Sequence, residues 1–377
     1  MDSAGRPLHI VHTEASCGWG GQEIRILTEA AALIARGHRL SLLAPPESHI
    51  YQAAEAQGLT AVAMPLQRKS PAAIGALRRW LRAMRPDVVN THSSVDAWVT
   101  AVARMGLRRP GVPVVRTRHI SAPVARRVTT RWLYRYGADH VVTTGEALRV
   151  DLMRRLRLPG SQLTSIPTGI DVTRFCRDNT PGRQAMRAAV SIPADAQVLG
   201  IAATLRSWKG HDDLLAAFAR LAGELPQLHL LIVGDGPRRE VIGDWVARSG
   251  DLRRRIRLVG QRDDVPDLMA AMDLFVLPSY ANEGVPQAIL QAMAMNLPVV
   301  STWVGAIDEA VVEGETGRLV APRQVTALAD ALRDLLADPP LLQRMGQAGR
   351  ERVCRQFALP SMADAMEAVF RRLTVRS

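Results

Sequence analysis

Cysteine is scarce in this 377-residue sequence: Cys17, Cys176 and Cys354 are odd in number, far apart and form no CxxC pair. That excludes a disulfide framework and a cysteine zinc cluster, and a reducing compartment fits best. Long apolar runs are missing as well; none approaches the ~20 residues needed to span a bilayer. The N-terminal stretch MDSAGRPLHIVHTEASCGWG lacks the basic start and unbroken apolar core of a secretion signal. The expectation is a cytoplasmic protein, with peripheral contact to the inner membrane left open. No repeat and no low-complexity tract is visible. Lysine is the last scarcity: of 48 basic residues only Lys69 and Lys209 are lysines, the rest being arginines.

What is present describes a folded body. The composition is 47% hydrophobic and 22% charged with 28 Gly and 23 Pro, which excludes disordered, collagenous and coiled-coil classes. At roughly 150 residues per domain the length favours two domains. A net charge of +12 favours anionic partners, without choosing among nucleic acid, anionic lipid and phosphorylated substrates.

Short β-rich apolar runs alternate with amphipathic stretches throughout, the rhythm of parallel βαβ layers. In the first half the pattern predicts strands over 8–13, 39–44, 87–92, 114–119 and 140–144, with helices over 22–36 and 72–84 among them. In the second half it predicts strands over 198–205, 228–234, 256–260, 274–278, 299–302 and 318–320, with helices such as 213–222 and 325–336. Two doubly wound α/β domains follow, over 1–178 and 179–355, with a C-terminal helix over 356–377 packing back toward the first. Asp178-Asn179-Thr180-Pro181-Gly182 reads as the linker, because Pro and Gly break either periodicity there. Open parallel sheets bind ligands beyond the carboxyl ends of their strands, so a cleft between facing strand ends is expected.

Three strand-end segments carry chemistry. Cys17-Gly18-Trp19-Gly20-Gly21-Gln22-Glu23 leads from the first strand into a helix, where glycines admit close backbone approach and the helix start offers free N–H groups to an anion. It is not G-x-G-x-x-G, and no acidic residue about twenty positions on completes a dinucleotide fingerprint. A plain tight turn is the competing reading. Arg206-Ser207-Trp208-Lys209-Gly210 follows the first strand of the second half, and two cations three residues apart suit a diphosphate. A solvated basic turn competes, but one of only two lysines stands here. Glu283-Gly284-Val285-Pro286 opens a helix after the 274–278 strand, with Gln291 inside that helix, so loop and helix can touch separate parts of one ligand.

Taken together, Glu283-Gly284-(x)6-Gln291, Arg206-x-x-Lys209-Gly210, Val233-Gly234-Asp235-Gly236-Pro237, Pro167-Thr168-Gly169-Ile170-Asp171 and Gly314-x-x-Gly317 resemble the retaining glycosyltransferases of family 4, which have the GT-B fold. The resemblance runs from the Gly20-Gly21 loop to the end of the chain. It implies retaining transfer of a sugar from a UDP-, GDP- or ADP-linked donor to an acceptor hydroxyl, without a metal and without a cofactor. By the same resemblance Arg206 and Lys209 hold the leaving diphosphate, Glu283 contacts donor-sugar hydroxyls, and Gly20, Gly21, Gly284, Val285 and Gln291 line the donor. Departure of a nucleoside diphosphate concentrates negative charge, and preorganised cations stabilise that charge more in the transition state than in the substrate. Two departures stand out. The family usually has Glu where Gln291 stands, and Gly-Gly-x-x-Glu is here Gly305-Ala306-Ile307-Asp308-Glu309.

Thr91-His92-Ser93-Ser94 and Arg116-Thr117-Arg118-His119 also follow strands, and the resemblance makes His92 the expected sugar or phosphate contact; a structural histidine is the plainer reading. Arg126, Arg127, Arg131, Trp132, Tyr134 and Arg135, and separately Arg78, Arg79, Trp80, Arg82 and Arg85, mix cations with aromatics and suit an anionic membrane surface or a merely solvated helix face. The expected partners are a nucleotide-sugar and a glycan or lipid-linked acceptor of cell-envelope synthesis, with no nucleic acid. A nucleotide-sugar 2-epimerase of the same architecture and a non-catalytic glycan- or nucleotide-binding protein are the alternatives.

Overall fold

The computed structural model describes residues 5–105, 107, 111–119, 122, 124–281 and 283–375. The chain divides into two compact units, residues 1–169 with 359–377, and residues 170–358.

The first unit carries a parallel sheet built from β1 (His9–Thr13), β2 (Arg39–Ala44), β3 (Ala61–Ala63), β4 (Val88–Thr91), β5 (Val114–Arg118), β6 (His140–Thr143) and β7 (Leu163–Ser165), in the order β3-β2-β1-β4-β5-β6-β7. Its inner strands β1, β4 and β6 are buried on both faces, as layers covered by helices require, while the edge strands β3 and β7 are only partly covered. The helix Gly21–Ala35 lays Ile26, Leu27, Ala30 and Leu33 onto the sheet. The C-terminal helix Leu359–Thr374 joins the same layer through Met362, Met366, Val369 and Phe370, which cluster with Ile10, Val88 and Val142. Each such side chain contributes ~1.5–3 kcal/mol of transfer free energy when fully buried.

The second unit holds β8 (Gln197–Ala202), β9 (Leu228–Val233), β10 (Ile256–Gly260), β11 (Leu274–Leu277), β12 (Val299–Thr302) and β13 (Gly317–Val320), parallel and in the order β10-β9-β8-β11-β12-β13. One apolar cluster fills it, with Phe218, Phe275, Met272 and Leu332 fully buried.

Each strand order reverses direction once, between β1 and β4 in the first unit and between β8 and β11 in the second. Loops at such a switch point diverge to opposite faces and leave a crevice at the strand ends. Glu14 and His92 follow β1 and β4; the Arg206–Lys209 loop and the Ser279–Glu283 loop follow β8 and β11. Within each unit the topology thus gathers that unit's own candidate residues.

The passage between units differs from the Asp178–Gly182 expectation. The chain leaves the first unit after Gly169 and re-enters it at Leu359. The Pro181-Gly182 break instead precedes a helix, Arg183–Ala189, of the second unit. Side chains hold that segment in place: Arg177 Nε donates to the Met295 carbonyl at 2.8 Å, and Asn179 Nδ2 to the Thr173 carbonyl at 2.7 Å.

Candidate active site

In the second unit, β8 runs out into a single 3-10 turn, Ser207–Lys209, and then the helix His211–Leu221. Gly210 joins them with φ +75°, and a Cβ there would stand 2.0 Å from the Pro278 carbonyl oxygen. Only glycine lets the β8 loop lie against the end of β11. The two loops are further tied by Tyr280 N–H donating to the Trp208 carbonyl at 2.9 Å.

That contact brings Lys209 to Glu283. Lys209 Nζ donates to both carboxylate oxygens of Glu283, at 2.8 and 3.0 Å, and Ser279 Oγ donates to Glu283 Oε1 at 2.6 Å. Thr302 Oγ1 in turn donates to the Ser279 carbonyl. The Glu283 side chain is only 6% exposed while that of Lys209 is 21% exposed, so the cation is the outer member of the pair. Arg206 is exposed, with its guanidinium 5.2 Å from the Trp208 ring centroid. The structure therefore brings Arg206, Lys209 and Glu283 into one loop pair. What the sequence did not foresee is that two residues expected to serve different parts of a ligand neutralise each other.

Gly284 and Val285 are buried, Val285 within the apolar core, so they present backbone rather than side chain. Pro286 caps the helix Gln287–Ala294, one position earlier than first helical residue. That helix buries Ile289, Leu290, Ala292 and Met293. Gln291 is half-buried and its side chain makes no hydrogen bond among the described residues. Behind the site stands Gly305, φ +65°, where a Cβ would lie 1.9 Å from the Glu283 carbonyl oxygen. Of the Gly-Gly pair usual in the family, this is the glycine the backbone demands. Asn282 lies outside the described residues.

In the first unit, Gly20 has an extended backbone, φ 177°, and caps the helix that Gly21 begins. The loop before it is shaped by Glu14, whose Oε1 accepts from the Ala15 and Ser16 amides at 2.8 and 2.7 Å and whose other oxygen accepts from Gln22 Nε2. Burial, with the nearby Asp96 charge adding, pushes the Glu14 carboxyl up to about 8.

His92 is placed differently from the expectation of a direct contact. It is 5% exposed, and both ring nitrogens are engaged: Nε2 with His12 Nδ1 at 2.7 Å, Nδ1 with His119 Nε2 at 3.0 Å. His119, directly after β5, is half-buried and the most exposed member of the three. At the inner end His12 Nε2 faces Glu29 Oε1 at 3.7 Å, and Glu29 pairs with Arg25 at 3.7 Å one helical turn away, all with fully buried side chains. Sequence reading missed His12, Arg25 and Glu29. The available signal was polar residues at core-facing positions: His12 inside a buried strand, and Arg25 and Glu29 spaced i, i+4 on the helix face that also carries Ile26 and Leu33.

The basic, aromatic segments split by side-chain type. Arg79, Arg82, Arg85, Arg126, Arg127 and Arg131 are exposed. Tyr134 is core, with Arg116 over its ring at 4.2 Å, and Trp132 stacks on Trp98 at 5.5 Å between centroids. Arg78 is tied to the Ala103 and Val102 carbonyls at 3.0 Å each. No described helix is long and apolar enough to cross a membrane.

Residues 19–174 match the family described as Glycosyltransferase Family 4, and residues 196–338 match Glycosyl transferases group 1. A glycogen synthase of Mycobacterium tuberculosis is 32% identical over 313 residues, covering 79% of this chain and 70% of that protein. A phosphatidyl-myo-inositol mannosyltransferase of Mycolicibacterium smegmatis is 28% identical over 351 residues, covering 89% and 86%. Among solved structures, a glycosyltransferase from Rickettsia africae superposes with TM-score 0.86 at 19% identity, covering 98% of this chain and 100% of that one. The Anabaena protein HepE, crystallised with UDP-glucose, superposes with TM-score 0.84 at 21% identity, covering 97% and 100%. Two parallel-sheet α/β units, strand-end loops bearing the ordered motifs and these matches lead to one assignment: the chain belongs to the family 4 glycosyltransferases and has the GT-B fold.

Proposed function

We propose that this glycosyltransferase transfers a hexose, with retention of anomeric configuration and without a metal, from a nucleotide-sugar to a hydroxyl of a glycan or lipid-linked acceptor in cell-envelope synthesis, such as lipopolysaccharide, capsule or exopolysaccharide. The observation that carries the reading is the Lys209–Glu283 pair beside the exposed Arg206 at the switch point of the second unit. In the free protein Glu283 holds Lys209 in place. A bound diphosphate offers the lysine a second anionic partner, and the carboxylate then accepts hydrogen bonds from sugar hydroxyls while still anchored by Ser279. Lys209 and Arg206 supply fixed positive charge where the leaving diphosphate gathers its negative charge, a task for which other transferases use a divalent metal. The first N–H groups of the helix Gln287–Ala294 add a partial positive charge at the same strand end. Gln291 is assigned to the nucleotide ribose, where an amide oxygen accepts a neutral hydrogen bond in place of a charge-assisted one.

In the first unit the contact to a sugar hydroxyl is assigned to His119 rather than to His92, because both His92 ring nitrogens are already engaged. Gly20 and Gly21 are assigned to close backbone approach of the ligand. Retention and the envelope role rest on the family resemblance. The UDP and UDP-glucose complexes of HepE support a nucleotide-sugar donor.

The test is proton NMR of the reaction with α-linked donors and an envelope-derived acceptor fraction. The early product is expected to carry the donor's anomeric coupling. An inverted coupling overturns retention, and epimerised nucleotide-sugar released without acceptor replaces transfer by epimerisation.

A further inference from the structure

The chain Glu29–His12–His92–His119 lies wholly within the first unit, starting in its core and ending at a half-buried residue. Burial, with the Arg25 charge adding, holds the His12 imidazole down at about 3; burial, then His12, His119 and Arg25, keeps His92 well below the ordinary histidine value, and burial, then Arg25, Arg118 and His12, does the same for His119. All three rings are therefore neutral near pH 7, and each carries one N–H.

Counting protons then leaves a single binary choice. Two N–H groups are consumed by the two links, His12 Nδ1 to His92 Nε2 and His92 Nδ1 to His119 Nε2. The third proton must sit at one end, on His12 Nε2 or on His119 Nδ1. If it sits on His12, every ring is the Nε2–H tautomer and His119 Nδ1 carries a lone pair. If it sits on His119, every ring is the Nδ1–H tautomer and His119 presents a donor.

What decides lies at the inner end. Arg25 is donor-only and fully buried, with Nη1 donating to the Ile166 carbonyl at 2.9 Å, and Glu29 is the acid paired with it. Asn90 is oriented by Thr117, whose Oγ1 donates to Asn90 Oδ1 at 2.8 Å, so the Asn90 amide N–H faces Glu29 Oε1 at 3.4 Å. Both neighbours thus treat Glu29 as an acceptor. Burial pushes its carboxyl up to about 7 against the pull of Arg25, so above that pH it is a carboxylate, with no proton to give. A lone pair on His12 Nε2 would point at that negative charge; an N–H there is attracted to it.

We infer that Glu29, acting through His12 and His92, is a positioning residue that places the chain's third proton on His12 Nε2 and so makes the outer nitrogen of His119, Nδ1, a hydrogen-bond acceptor dedicated to a ligand hydroxyl. Nδ1 of His119 has no partner among the described residues. The ligand half of this inference rests on the assignment of His119 to a sugar hydroxyl; the proton order does not, and is read on the protein without any substrate.

The experiment is a long-range proton–nitrogen NMR spectrum of the full chain, labelled with nitrogen-15 in the histidine rings, at pH 8. His119→Gln identifies the His119 resonances by their loss. The expected spectrum shows His119 with a protonated Nε2 and an unprotonated Nδ1; a protonated Nδ1, or an even mixture of the two, overturns the inference. Glu29→Gln extends the test. Arg25, which faces one carboxylate oxygen, and Asn90, which donates to the oxygen that faces His12, compete for the single amide oxygen, so the fixed order is lost and His119 gains an Nδ1-protonated population. An unchanged His119 spectrum in a folded Glu29→Gln protein overturns the role of Glu29, and if that variant does not fold the wild-type spectrum decides alone. Loss of sugar transfer in His119→Gln checks the ligand assignment separately.

Discussion

Glu283 accepts from Lys209 twice and from Ser279 once while nearly buried, and such a carboxylate combines two functions that a substitution can separate. Glu283→Gln keeps the size and an acceptor for Ser279 but removes the charge. Transfer is expected to fall by about 10²-fold or more, the usual cost of removing one preorganised electrostatic contact. Nucleoside diphosphate affinity, read by calorimetry, should stay level or tighten, since Lys209 is released from its internal partner. A parallel loss of nucleotide affinity would move Glu283 away from the sugar. These residues were legible because charged groups immediately after buried strands have few structural reasons to be there. The histidine chain was not: His12 on β1 and the i, i+4 pair Arg25 and Glu29 on the helix Gly21–Ala35 meet only once that helix has packed on the strand. His92 was visible as a strand-end histidine, but only the fold shows that its two nitrogens are spent on other histidines.

The elements that position the site are held by backbone contacts that admit no side chain. At Gly305 both the positive φ and the Glu283 carbonyl, 1.9 Å from a would-be Cβ, oppose substitution. Gly305→Ala is expected to destabilise the second unit by ~1–3 kcal/mol through strain. It should also cut transfer by about 10²-fold, because the reacting groups would be misplaced by about 1 Å. Denaturant unfolding and steady-state rates measure the two effects, and an Ala variant with wild-type rate would show that the Gly305–Glu283 contact does not set the site. All six strands of the second unit were legible, since β8 to β13 are short runs of apolar, β-rich residues bounded by turn signals. The strands missed, Ala61–Ala63 and Leu163–Ser165, are three-residue strands at the two edges of the first sheet. At that length no periodicity exists to be read. The helix Val325–Leu336 matched its expected bounds because its apolar stripe is complete from first to last turn.

For the molecule as a whole, the net charge of +12 and the exposed arginines attract anionic surfaces electrostatically. Of the aromatics in the 126–135 segment, Tyr134 lies in the core and Trp132 stacks on Trp98, while Tyr136 next to them is exposed. Binding to anionic vesicles should weaken with salt and with Arg127, Arg131 and Arg135 replaced together by Gln, each basic residue near the surface being worth ~1 kcal/mol. Salt-insensitive sedimentation would leave them as a solvated face. At this scale the sequence was most informative about architecture and least about where one unit ends. Pro181 and Gly182 break the local pattern, yet the second unit begins eight residues before Asp178, at Ile170, because Arg177 and Asn179 are anchored within it.

The central claim is that the loops after β8 and β11 hold a nucleoside diphosphate through Arg206 and Lys209. The direct measurement is the unfolding free energy of the protein with UDP, GDP or ADP, for the wild type and for the Arg206→Ala, Lys209→Ala double variant. One nucleotide at 100 times its dissociation constant should stabilise the wild type by ~2.7 kcal/mol, and the double variant should lose most of that gain at the same concentration. Stabilisation by none of the three, or equal stabilisation of both proteins, would contradict the account.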